Sequence, residues 1–139
     1  MEGAPPTERT EVRFLFDRDC LYIGIRCFDS EPKKILAKQM QRDAWLVSDD
    51  CATVALDTFG RQREGYLLTV NPAGVRSDGT FSRYVPWENR QVDLLWSAKS
   101  RIDDLWWVAE VALPFKSVAF GREGAPWRGS HSKCWTSRP

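Results

Sequence analysis

Residues 106–115 restrict what this chain can become more than any other stretch. In Trp106-Trp107-Val108-Ala109-Glu110-Val111-Ala112-Leu113-Pro114-Phe115, side chains alternate with a period of two until a proline ends the run. The period puts Trp107, Ala109, Val111 and Leu113 on one face and Trp106, Val108, Glu110 and Ala112 on the other, which is the pattern of a sheet strand and not of a helix. Pro114 lacks the N–H that a continuing ladder would use, so the strand is expected to end there. The run Asp93 to Ser100 precedes it across the polar residues Arg101-Ile102-Asp103-Asp104, which predicts an antiparallel hairpin.

The same alternation recurs upstream. Thr10–Phe16 and Leu21–Phe28, joined by Asp17-Arg18-Asp19, read as a second hairpin. Cys51–Asp57 and Glu64–Val70 read as a third strand pair, and Asn71-Pro72-Ala73-Gly74 has the chemistry of a tight turn. Ser77-Asp78-Gly79 is a further turn signal. Periodicity disappears from Phe81 to Gln91, which predicts a long surface loop with Trp87 as its most exposed candidate. One short helix is expected over Lys33–Met40, with Ser30 as N-cap and Pro32 in its first turn. Strand pairs at this spacing predict an all-β fold, an antiparallel β-sandwich with one short helix. Residues 1–9 form a lead-in, 10–120 the sandwich, and 121–139 an irregular tail without alternation.

At 139 residues one domain is expected, large enough to bury a core without metal or disulfide staples. A formal charge of +1 gives no electrostatic case for nucleic acid. No stretch is long and apolar enough for a membrane helix, and Met1–Pro6 lacks the features of a signal peptide. Cys20, Cys27, Cys51 and Cys134 show none of the close pairs of zinc or redox motifs. Cys20 and Cys27 would point to opposite faces of one strand, so a bridge between them is not expected; buried thiols are the favoured reading.

The order of motifs, namely Glu11–Phe14, Leu21-Tyr22-Ile23-Gly24, Asp50–Asp57, Gly65-Tyr66, Val70-Asn71-Pro72-Ala73-Gly74 and Trp107–Phe115, resembles the carbohydrate-binding module family 9-like domain. The likeness runs over roughly residues 7 to 120 and is closest to the version that opens large bacterial envelope proteins. The resemblance implies a β-sandwich that clamps a pyranose ring between two tryptophans. Trp45, ahead of Asp50, is the nearest equivalent of the first. Thr53 and Thr69 stand where sugar-binding members carry a glutamate and an arginine. The second tryptophan would come from the final strands, and Gly121–Trp135 has no matching pattern. The family's opening strand has no counterpart before Pro5, so the resemblance implies a domain truncated at both ends, with an edge open or filled by a partner. Its implied location is the periplasm, the outer membrane or the cell exterior.

Functional expectations follow from residue types. An indole offers a flat apolar face to the C–H side of a sugar, and Trp45 and Trp87 are the candidate platforms, while Trp96 and Trp107, on strands, are expected to be structural. The candidate saccharide set is Trp45, Asp50, Thr53, Thr69, Asn71 and Trp87. Asp43, Asp49, Asp50 and Asp57 could hold calcium, which the resemblance allows, but their spacing is not that of a calcium loop and solvated carboxylates are the favoured reading; no cofactor is expected. Glu110 with Asp50 or Asp57 could be proposed as a glycosidase pair, yet a small sandwich rarely forms the needed cleft, and Glu110 is expected to be half-buried and satisfied by Arg or backbone donors. The lone histidine, His131, leaves triads and zinc hydrolase sites without their parts, and Met40 with His131 is the only internal axial pair for haem. The expected function is non-catalytic saccharide binding in an envelope or secreted protein, and the alternative is a docking domain within a larger parent protein.

Overall fold

The computed structural model describes residues 8–121 and 126–134. Among the described residues, nine strands form two antiparallel sheets: β1 (Thr10–Phe16), β2 (Cys20–Phe28), β3 (Cys51–Asp57), β4 (Glu64–Val70), β5 (Arg76–Ser82), β6 (Val85–Asn89), β7 (Ser97–Ile102), β8 (Trp106–Pro114) and β9 (Arg128–Cys134). Sheet A has the order β1-β2-β8-β7 and sheet B the order β6-β5-β4-β3-β9. The all-β sandwich expected from alternation is the observed architecture.

Alternation decides the core. Leu21, Ile23, Ile25 and Cys27 of β2 and Trp107, Ala109, Val111 and Leu113 of β8 face Ala52, Val54, Leu56, Leu68 and Val70 of sheet B. Trp107 is fully buried, as is Leu113. Trp96, which stands just before β7 and not in a strand, is buried too, its Nε1–H donating to Asp78 Oδ1 at 2.9 Å, so both indoles are structural. Trp127 packs edge-on against Phe115, with ring centroids 5.7 Å apart.

Four expectations are corrected. The helix over Lys33–Met40 is absent: Pro32–Lys34 makes a single 3₁₀ turn, as do Leu46–Ser48 and Phe115–Ser117, and no α-helix occurs among the described residues. The segment is instead pinned as extended chain, with Leu36 N–H and Gln39 N–H donating to the carboxylates of Asp50 and Asp49. Ser77-Asp78-Gly79 is the middle of β5 and not a turn, because Asp78 is satisfied in the interior by Leu94 N–H and Trp96 Nε1–H. The 81–91 stretch is the end of β5 plus edge strand β6; a register shift between Thr80 and Ser82 breaks the period, and Pro86 is tolerated because an edge strand has an unpaired side. The tail is not irregular throughout, since β9 pairs with β3 along its whole length and lays the backbone of Cys134 opposite Cys51. Cys27 and Cys51 are buried.

Candidate saccharide-binding face

The outer face of sheet B carries Thr53 and Thr69, two of the residues singled out in the sequence, and the register shows how. Thr53 faces Thr69, and Thr69 faces Ser77, so hydroxyl-bearing residues line up across β3, β4 and β5. The two threonine hydroxyls bond each other at 2.9 Å. One end of this face is roofed by the extended segment before β3. Leu46 from that segment buries itself against Cys51 and Val75 as a small second core.

Asn71 is the peg that holds the roof. Its Nδ2 donates to Gln39 C=O at 3.0 Å and to Asp49 Oδ2 at 2.9 Å, and its Oδ1 accepts from Val75 N–H at 2.8 Å. Gly74, at φ 83°, closes the turn that lets one side chain reach both directions. Asp50 is equally buried and takes Leu36 N–H at 3.0 Å. Asp50 and Asn71 therefore spend their polar atoms on chain architecture, and neither is exposed to a ligand in solvent.

Trp45 is different. It stands at the end of the roof segment, 67% exposed, with the Arg90 guanidinium 4.4 Å from its ring centroid. Arg90 follows β6 and lies over Gly79, where an added Cβ would come within 3.8 Å of the Arg90 stem. Its Nε reaches Glu88 at 3.4 Å, while its Nη1 is buried with no hydrogen-bond partner among the described residues. The guanidinium covers one face of the indole, and the exposure of Trp45 leaves the rest of the ring to solvent. Sequence reading missed Arg90, which sits in a stretch without period and carries no motif. Trp87 lies in β6, and its side chain is outside what the structure describes.

The carboxylates are dispersed. Asp57 accepts N–H groups from Phe59, Gly60 and Gln62 at 3.1, 2.8 and 2.6 Å. Burial works against its charge, but those amides together outweigh it and hold the carboxyl below its ordinary value of 3.8. Asp43 pairs with Arg42 at 3.4 Å. No three metal-ligating side chains come together among the described residues. Glu110 corrects its expectation: it is exposed on the outer face of sheet A and has no ion pair within 4.0 Å among the described residues. Strand register in β2 and β8 puts only the alternate residues in the core, and Glu110 is on the outer phase. It thus projects away from the core on the sheet opposite to Asp50 and Asp57, and a two-carboxylate cleft cannot be built from these residues.

No family model matches the chain, and no curated protein matches it. Among solved structures, the chain is similar to one from Bacteroides uniformis described as a "putative carbohydrate-binding protein". The TM-score is 0.74 at 13% sequence identity, over 96% of this chain. This chain spans 66% of that protein's length, and what the two share is the sandwich fold.

Proposed function

We propose that this domain is a non-catalytic saccharide-binding module of the family 9-like kind, belonging to a bacterial envelope or secreted protein. The observation that carries the reading is Trp45, an indole that stays 67% exposed although the Arg90 guanidinium lies over one of its faces. Rings of pyranoses stack their C–H face on such a platform. Thr53, half-buried on the same sheet face, can exchange its bond to the buried Thr69 for one to a sugar hydroxyl. The fold shared with the Bacteroides uniformis protein supports the same class of ligand.

Intrinsic tryptophan fluorescence, followed while the chain is titrated with a panel of mono- and oligosaccharides, tests this. A saturable response that Trp45→Ala or Arg90→Ala abolishes, with the far-UV spectrum unchanged, is the expected outcome. A folded chain that responds to no sugar in the panel sinks the reading.

One observation favours a second reading, docking within a larger assembly. Phe14 and Phe16 of edge strand β1 have the core-facing register of Ile23 and Leu21, yet they are 46% and 79% exposed. An edge strand with uncovered core-phase aromatics is a surface that another strand or domain can complete. Concentration-dependent association that Phe16→Lys removes would favour docking over sugar binding.

A further inference from the structure

The outer face of sheet A holds a trough to which the preceding reading gives no role. Register aligns Arg13 of β1, Gly24 of β2, Glu110 of β8 and Lys99 of β7 in one row across four strands. A Cβ added at Gly24 would meet nothing within 4 Å, so no protein group requires the missing side chain there. Glycine in a strand interior sacrifices packing and entropy, and one explanation for it is close approach of something to the backbone. Two hollows of about 470 and 300 Å³ open from this row, one on each side, sharing Arg13, Gly24 and Glu110 as lining.

The ends of the trough are built. Tyr22 limits the larger hollow, and its hydroxyl donates to Asp17 Oδ2 at 2.9 Å. Asp17 is itself fixed by Asp19 and Cys20 N–H, each at 2.8 Å. At the other end Arg26 lies 5.2 Å over the Trp106 ring, which occupies that indole face. The floor between is Gly24, Ala112 and Val108.

We propose that this trough binds an acidic saccharide, one that carries uronate residues. Arg13 and Lys99 face the row from both sides of Glu110, so two cations flank one carboxylate and the row favours an anion. Lys99 stands opposite Glu110 in register, yet neither has an ion-pair partner within 4.0 Å among the described residues. Glu110 is thus an open acceptor, unsuited to bare phosphate or sulfate but suited to vicinal hydroxyls. A uronate presents both chemistries: a carboxylate for Arg13 or Lys99, and hydroxyls for Glu110. Its apolar ring face fits a floor without bulky side chains. The floor's backbone groups are already paired within the sheet, so an extended peptide finds no ladder to join there. Four strands span roughly 14 Å, room for about two sugar rings. This site lies on the sheet opposite to Trp45 and does not depend on the Trp45 reading.

The test titrates the full chain with oligogalacturonate, against a neutral oligosaccharide of equal length, by calorimetry and amide NMR. Expected is saturable binding of the acidic sugar only, with Gly24 and Ala112 amides shifting and affinity falling as salt rises. Gly24→Val, Arg13→Gln and Lys99→Gln should each weaken it by about tenfold or more, and Trp45→Ala should leave it intact. Gly24→Val has open space and is expected to fold, which a thermal melt checks. Absence of binding overturns the proposal, as does equal binding of the neutral sugar. Binding that survives Gly24→Val but disappears in Trp45→Ala overturns it as well, by relocating the ligand to sheet B.

Discussion

Asn71 shows how one side chain can decide where a segment runs. It donates twice and accepts once in a site with no solvent access, so truncation leaves Gln39 C=O, Asp49 Oδ2 and Val75 N–H each short of a partner. Asn71→Ala is expected to cost about 2–4 kcal/mol, read as a lowered urea midpoint, while Trp45→Ala, at an exposed position, should leave the midpoint nearly unmoved. A second residue-scale effect depends on pH. The folded pKa of Asp57 lies below the unfolded one, so its contribution to stability is complete above the unfolded value and is lost as pH falls through the folded value. Asp57→Asn should therefore flatten the acid limb of a stability-versus-pH curve, and an unchanged limb would show that its amide contacts do not persist in solution. The sequence named Asp50 and Asn71 as ligand candidates because residue type is legible and environment is not. Nothing in the order of letters shows that Leu36 and Gln39 fold back to take those polar atoms.

At the level of the element, two strand glycines look alike in the sequence and differ in structure. Gly65 of β4 has no room: an added Cβ would overlap the Leu56 carbonyl oxygen and come within 2.8 Å of Phe81. Gly24 of β2 has open space. Gly65→Ala should lower stability by about 1–3 kcal/mol through displaced backbone, whereas Gly24→Ala should be neutral or stabilising by up to about 1 kcal/mol. Paired thermal melts check both, and equal effects would contradict the geometry. Strands with clean alternation, β2 and β8, were legible because one face is buried and the other is not. β5 and β6 were not, since Asp78 is an interior polar residue paid off by Trp96 and a register shift breaks the period. β9 was missed for another reason: Arg128-Gly129-Ser130-His131 is exposed throughout and carries no apolar phase to read.

At the scale of the molecule, the sandwich was legible from the number and spacing of alternating runs, but the strand order was not. Hairpins join β1 to β2 and β7 to β8, while the seam between them, β2 with β8, sets Leu21 opposite Leu113. Likewise β3 must find β9. Such distant pairings predict refolding in milliseconds to seconds, measurable by stopped-flow tryptophan fluorescence; microsecond refolding would mean that the seam is not part of the barrier. The seam also orders events during synthesis. The meander β3-β4-β5-β6 is contiguous and can assemble as soon as it is made, but the β1-β2 hairpin must wait, with one edge of β2 unpaired, until β8 has been translated. A growing chain is thus most vulnerable to aggregation in the interval between its second strand and its eighth, when a holdase would have the most to protect.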